Sequence, residues 1–354
     1  MSTIAPYESF HLSPTGPGDE RPTATQIVLD QGLLGQLTNF NIAITGGSAG
    51  LGRETAKALH ATGARIFILV PPVEGSAAAA KEIEEENKAD SRLTECQSVL
   101  KPIETIFLDL GSQASVRDGA KELRKKTANR LNVLICNAGI MSPPFTDTKD
   151  GFEPHFGINF LGHFLLVNEL TDALESGAKV TPQVPSRIVC LSSLGHRACS
   201  LSVDDLPPKV PDTISQQAAP ELYHDSKLLT LWMANEAERR FSNRNIHCFS
   251  VNPGSIETPL TAHLGWNSIR AVMGDKVKEF DRLSKSIPQG AATTVWGAVG
   301  KELEGQGGLY LDDVRVALPA EEGRGFFTHG YAPHAYDRKS EHELWKLADR
   351  LIKE

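Results

Sequence analysis

Asn41-Ile-Ala-Ile-Thr-Gly-Gly-Ser-Ala-Gly-Leu-Gly52 decides the fold. Ile42, Ala43 and Ile44 form a short apolar run of the kind found in a buried strand, and Arg53-Glu-Thr-Ala-Lys-Ala-Leu-His60 carries a helical pattern. Between them stand Gly46, Gly50 and Gly52. A strand that passes through glycines into a helix N-terminus makes a phosphate cradle, because the backbone can approach a pyrophosphate and the unpaired helix N–H groups face the anion. A loose glycine triplet by itself describes any glycine-rich turn; the strand before and the helix after favour a nucleotide. The spacing, Gly-x-x-x-Gly-x-Gly, differs from the Gly-x-Gly-x-x-Gly dinucleotide fingerprint.

Outward from this stretch, apolar strand-like runs alternate with helical patterns. Ala64–Val70, Ile103–Leu110, Leu131–Cys136, Arg187–Leu191 and Ile246–Val251 read as strands, with Leu309–Leu311 a short seventh. Helices are expected after Gly52, from Ser76, over Val116–Arg124, Gly157–Leu170 and Leu222–Phe241, and at the C-terminus. There Ser340-Glu-His-Glu343 reads as a capping box. The alternation predicts an α/β fold, a doubly wound parallel sheet of Rossmann-like type, with ligands at the carboxyl ends of its strands. No linker or repeat divides the chain, so residues 24–354 read as one domain with a C-terminal helical extension. Residues 1–23, rich in proline and glycine without periodicity, read as a flexible or surface-draped tail.

Composition excludes several classes. With 36 basic and 44 acidic residues in 354, the net charge of −8 recommends neither nucleic acid nor an anionic membrane as partner. No apolar run approaches the ~18 residues of a membrane span, and no secretory pattern opens the chain, so a cytoplasmic protein without membrane anchor is expected. Five cysteines without a Cys-x-x-Cys pair suggest buried thiols and no metal.

A second anchor is Tyr223-His-Asp-Ser-Lys227. Residues four apart share a helix face, so a phenol and an ammonium lie together, and a nearby cation favours phenolate. Such a tyrosine can exchange a proton with an alcohol or carbonyl oxygen. Ser192-Ser193 closes the fifth strand, Asn137-Ala-Gly139 closes the fourth, and Asn159 sits in Gly-Ile-Asn-Phe-Leu-Gly-His.

Together these motifs, in this order, resemble the short-chain dehydrogenase/reductase family over residues 40 to 260. Within it, Phe156-Gly-Ile-Asn-Phe-Leu-Gly-His-Phe164 and the long Ser193-to-Tyr223 interval resemble the branch of retinol dehydrogenases, WW-domain oxidoreductases and protochlorophyllide reductases. Gly290-Ala-Ala-Thr-Thr-Val-Trp296 and Gly307-Gly-Leu-Tyr-Leu311 resemble its fungal-type members, many of them in secondary metabolism.

The resemblance implies that Tyr223 is the general acid or base and that Lys227 lowers its pKa and binds the nicotinamide ribose. It implies that Ser193 polarises the substrate oxygen and that Asn159 holds a water. Gly46, Ser48, Ala49, Gly50, Leu51 and Gly52 would line the pyrophosphate. Asp109 and Leu110 would meet adenine, and Asn137, Ala138 and Gly139 the adenosine side. Pro253, Gly254, Ile256 and Thr258 would hold the nicotinamide carboxamide.

The cofactor expected is NADP rather than NAD. Val70-Pro71-Pro72 puts no carboxylate at the end of the second strand, although Glu74 is close; Ala49 is neutral, and Ser48 and Arg53 are candidate phosphate partners. The substrate expected is a carbonyl or alcohol of a moderately apolar small molecule, walled by residues 194–222 and 260–290. The protein would act as a monomer or homodimer. Two other functions fit the same motifs: a double-bond reductase, and a dinucleotide-binding regulatory protein that does not turn over.

Overall fold

Ile42 and Ile44 pack on one face of the first strand and Ala43 on the other, and all three are buried. Side chains alternate across a strand, so a run that is apolar throughout needs cover on both faces. The computed structural model, described over residues 4–141, 147–180, 184–199, 201–207, 219–262, 264–321 and 327–353, supplies it. Its strands are β1 (Asn41–Thr45), β2 (Arg65–Val70), β3 (Glu104–Phe107), β4 (Val133–Cys136), β5 (Ser186–Leu191), β6 (Ile246–Asn252), β7 (Leu309–Asp312) and β8 (Arg315–Val316).

They form one sheet in the order β3-β2-β1-β4-β5-β6-β7-β8, parallel except for β8, which pairs antiparallel with β7. The order reverses at β1, so the crevice between the ends of β1 and β4 is the place for a ligand.

The principal helices are α1 (Ala24–Asp30), α2 (Gly50–His60), α3 (Ala78–Ala89), α4 (Gln113–Lys126), α5 (Gly162–Val180), α6 (Ala219–Phe241), α7 (Ala292–Val299) and α8 (Arg338–Leu351). One face of the sheet is covered by α4, α5, α6 and α8 through residues such as Val116, Leu166, Trp232 and Trp345. The other is covered by α1, α2, α3 and α7 through Ile27, Leu59, Ile83 and Trp296. The doubly wound architecture is therefore present, and all five cysteines are free and buried.

Two local features differ from the expectations, and a third adds detail to the N-terminal segment. The apolar stretch from Gly157 is not uniformly α-helical: His155–Leu161 is a π-helix that runs into α5. The helix at the C-terminus starts three residues earlier than a Ser340 cap would have it. Asp337 is the cap, its carboxylate accepting from Lys339 N at 3.1 Å and Ser340 N at 3.2 Å. An anionic cap also meets the positive end of the helix dipole, which a serine does not.

Residues 4–23, finally, are tied down at several points. Val316 N donates to Ile4 O at 2.9 Å, and Tyr7 Oη to Asp30 Oδ2 at 3.0 Å. The buried Arg21 guanidinium donates to the carbonyls of Leu283 (2.9 Å), Ser284 (2.6 Å) and Gly16 (3.0 Å). Composition hides this, because the anchors are single polar side chains rather than a periodic apolar face.

Candidate active site

β1 ends at Thr45, and the chain then turns through Gly46, whose φ of +67° suits glycine. A Cβ at Gly46 would stand 3.0 Å from Ala138 Cα, and one at Gly52 would stand 2.3 Å from Gly46 O and 2.4 Å from Asn137 Nδ2. The loop and the end of β4 thus approach closely, with no room for a side chain on either glycine. Ala49, at the N-cap of α2, supplies no side-chain cap, so the first turn of that helix opens toward the crevice. Ser48 is half-buried and Ala49 exposed, while Leu51 packs toward Gly290. This bare, amide-rich cradle fits a pyrophosphate.

Thr45 joins the cradle to the rest of the site. Its hydroxyl accepts from Asn137 N (2.9 Å) and Ala138 N (3.0 Å), and Asn137 Nδ2 donates to Thr45 O at 2.8 Å. Thr45 Oγ1 also lies 2.8 Å from His163 Nε2, while His163 Nδ1 is 2.9 Å from Asn159 O. A carbonyl only accepts, so the ring proton is on Nδ1, and Nε2 accepts from the threonine. Burial pushes the His163 pKa down to about 4, which keeps the ring neutral in this role. Sequence reading missed His163, although its spacing of four from Asn159 was a usable signal.

At the ends of β4 and β5 the four candidate catalytic residues come together. The Ser193 hydroxyl is hydrogen-bonded to the Tyr223 phenol. Lys227 Nζ lies 5.5 Å from the Tyr223 ring centroid and donates to Leu191 O at 2.9 Å. A Cβ at Gly139 would sit 3.3 Å from Asn159 Oδ1 and 3.4 Å from Lys227 Nζ, which puts these three residues side by side.

Tyr223 and Asn159 sit in surroundings that the motifs alone do not give. Burial pushes the Tyr223 pKa up to about 12, opposed only by the Ser193 hydrogen bond. Lys227, itself drawn down to about 8 by burial, does not pull the phenol below its usual value. The ammonium is directed at the end of β5 rather than at the phenol oxygen. Asn159 in turn spends its side chain on protein partners: Oδ1 accepts from Ile140 N (2.8 Å), and Nδ2 donates to Ile140 O and Ser226 Oγ, both at 3.0 Å. These contacts pin the turn after Gly139 against α6.

Asp109 is half-buried beyond the end of β3, and Leu110 is buried beside it. The Asp109 carboxylate accepts from Gly111 N at 2.9 Å and pairs with Lys149 Nζ at 2.8 Å. Arg53 is turned away from the crevice, with Nη2 2.6 Å from Glu86 Oε1 and 3.4 Å from Glu82 Oε2. Beyond β6, Pro253, Gly254, Ile256 and Thr258 cross toward the glycine loop, where a Cβ at Gly50 would meet Pro259 Cδ at 3.4 Å and Thr258 Cβ at 3.7 Å. Asn252 Oδ1 accepts from Leu194 N and Gly254 N, each at 3.2 Å, which couples this segment to the Ser193 turn.

The substrate side is closed by residues the sequence did not single out. His196 is fully buried, with Nδ1 2.6 Å from Ser193 O, while Ala332 N donates to its Nε2 at 3.3 Å. His334 Nε2 is 2.8 Å from His196 O. Segment 327–336 thereby braces the turn that carries Ser193. Of the expected substrate walls, residues 200, 208–218 and 263 lie outside the described residues.

A family profile described as short chain dehydrogenase matches residues 41–198. Oxidoreductase calI of Penicillium decumbens is 41% identical over 98% of this chain and 97% of its own length. The WW domain-containing oxidoreductase of Danio rerio is 35% identical, over 90% of this chain and 69% of its own length. Among solved structures, a short chain dehydrogenase from Burkholderia cenocepacia J2315 in complex with NADP shares the fold, with a TM-score of 0.56 at 22% identity, over 78% of this chain and 98% of that one.

Proposed function

The chain belongs to the short-chain dehydrogenase family and is an oxidoreductase acting on CH–OH or C=O groups, and from that premise we propose that it reduces the carbonyl of a moderately apolar small molecule, with NADPH preferred over NADH. The observation that carries this reading is the convergence of the buried Tyr223 phenol with Ser193, Lys227 and Asn159 beside the glycine loop. A tyrosine phenol holds its proton through the physiological range, which is the state a proton donor needs.

A nicotinamide held by these residues would supply hydride to the carbonyl carbon. The Ser193 hydroxyl orients the carbonyl oxygen, and Tyr223 Oη gives it a proton as negative charge develops there. Lys227 stands beside the phenol to bind the ribose, and Asn159 holds the turn after Gly139 in place. Gly46, Ser48, Ala49, Gly50, Leu51 and Gly52 hold the pyrophosphate, Asp109 and Leu110 the adenine, and Asn137, Ala138 and Gly139 the adenosine side. Pro253, Gly254, Ile256 and Thr258 face the nicotinamide.

Preference for NADPH rests on Val70-Pro71-Pro72, where no carboxylate repels a 2′-phosphate. Arg53 adds nothing, because Glu82 and Glu86 hold it. We assign the substrate walls to residues 194–222 and 260–290, joined by 327–336, and the protein to the cytoplasm as a monomer or homodimer. No helix among the described residues is long and apolar enough to cross a membrane. The relative from Penicillium supports a fungal-type member, with secondary metabolism as its setting.

The test is Tyr223→Phe against a panel of ketones and aldehydes, followed by NADPH oxidation. Turnover is expected to fall by the ~10²–10⁴-fold that general acids contribute, with NADPH affinity unchanged. A variant that keeps more than about a tenth of the rate overturns the assignment.

A further inference from the structure

Lys285 lies with its side chain 4% exposed, under the Pro253–Gly254 turn. Its Nζ is 3.4 Å from Pro253 O, and a Cβ at Gly254 would meet Lys285 Cδ, Cε and Nζ at 3.2 Å each. The Lys285 backbone joins the same turn, its N–H donating to Ser255 O at 2.9 Å beside a bridge between Lys285 and Ile256. Across from the turn, Lys285 Nζ pairs with Asp313 Oδ1 at 2.6 Å.

Asp313 is itself placed with effort. It and Val314 form the two-residue turn between β7 and β8, at φ of +52° and +53°. Two positive φ values define the tight hairpin turn of matching twist, but a β-branched valine there is strained. Val314 N is held by Thr293 Oγ1 at 3.1 Å. The same Asp313 oxygen lies 3.4 Å from His11 Nδ1, on a side chain only 6% exposed. Burial alone would raise the Asp313 pKa; Lys285 and His11 outweigh it and hold the carboxylate well below its usual range. The preceding residue grips the turn from its other side, since Asn252 Nδ2 donates to Asp312 Oδ1 at 2.9 Å and Asn252 Oδ1 receives Gly254 N.

We propose that Lys285, paired with Asp313, whose carboxylate His11 of the N-terminal segment also touches, is a positioning residue that sets the Pro253–Gly254 turn against the nicotinamide end of the cofactor. This rests on the dinucleotide reading above. The turn lies between the Ser193 loop, through Asn252, and the glycine loop, through Thr258 and Pro259, so a dinucleotide reaching from one to the other passes against it. Residues 4–21 then belong to the working site, although no sequence motif places them there. Burying an ammonium against a carboxylate is weak evidence of stabilisation in itself, which leaves geometry as the return for keeping the pair.

The test separates the nicotinamide end from the rest of the cofactor. The full chain is titrated calorimetrically with NADPH and with 2′-phospho-ADP-ribose, which lacks only the nicotinamide; NADH and ADP-ribose serve as the parallel pair. In Lys285→Met, dinucleotide affinity is expected to fall about tenfold, a loss of ~1.4 kcal/mol, while the fragment stays within about twofold. Asp313→Asn keeps shape, and asparagine tolerates the left-handed turn, so it folds even if Lys285→Met does not; its dinucleotide affinity is expected to fall about three- to fivefold with the fragment again unchanged. Equal loss of both ligands, or loss of neither, overturns the inference in either folded variant. Failure of the unaltered protein to bind any dinucleotide overturns instead the functional reading beneath it.

Discussion

The glycine-loop half of the crevice and the Ser193–Tyr223 half are built by different means. The first is close-packed around glycines: Gly46 against Ala138, Gly52 against Gly46 O and the Asn137 side-chain amide, with the Thr45 hydroxyl accepting from the Asn137 and Ala138 amides. What shapes it is the missing side chains of its glycines. The second is side chain against backbone, near and far: His196 to Ser193 and Ala332, Asn252 to Gly254 and Leu194, Lys285 to Pro253. The contrast is that the glycine loop depends on side chains being absent, whereas the turn that carries Ser193 depends on polar side chains being present.

The largest effect that would sharpen this contrast is expected from Lys227→Met. Removing the ammonium should lower kcat/KM by about 10²-fold, with weaker cofactor binding, on the proposal that it binds the ribose beside the phenol. The pH profile gives an independent reading. Burial draws Lys227 down to about 8, so kcat/KM with limiting cofactor should decline as pH climbs through that value, and the variant should lack this limb. The linked stability has the opposite sign. A lysine whose folded pKa is depressed binds fewer protons folded than unfolded between about 8 and ~10.4, so it burdens the fold most at and below neutral pH. The melting temperature of Lys227→Met at pH 7 should therefore hold or rise while activity is lost. A variant that loses activity and stability together would show that Lys227 serves the fold.

A smaller effect belongs to the other half. In Gly52→Ala the new methyl would meet Gly46 O at 2.3 Å. Overpacking of this kind costs ~1–3 kcal/mol, and binding of NADPH and of 2′-phospho-ADP-ribose should weaken alike, about tenfold. Equal loss of the two ligands is the opposite of the pattern expected for Lys285, so the pair of titrations tests whether the halves are separable. The smallest effect is Arg53→Ala. Because Arg53 is bound to Glu86 and Glu82, the ratio of KM for NADPH to KM for NADH should stay within about twofold. A larger change would bring that arginine back to the 2′-phosphate and blur the line between a half made of backbone and one made of side chains.

Legibility in the sequence follows the same division. The strand-glycine-helix passage, the alternating elements and the Tyr223–Lys227 spacing are local patterns, and each is found where it was expected. The roles were harder to read than the places. Tyr223 is raised rather than lowered because its burial depends on the surrounding fold, which no four-residue spacing encodes. Asn159 faces Ile140 and Ser226 because a π-helix, not an α-helix, sets its angle. His196, Asn252 and Lys285 were missed because each acts through a partner from 32 to 136 residues away or more than one element removed. Even the cap of α8 turned on Asp337 lying three positions before a serine that looked as suitable.

The anchoring of Arg21 has a consequence for how the protein is made. Its carbonyl partners, Leu283 and Ser284, lie 262 and 263 residues further along the chain. Residues 4–21 therefore leave the ribosome long before the surface that receives them exists. Their guanidinium, imidazole and proline-rich backbone have no native partners until that later stretch has been made. Docking of this segment therefore waits on the completion of the domain, which folds as a unit. The surroundings of the Pro253–Gly254 turn are complete only once the last third of the chain has been translated.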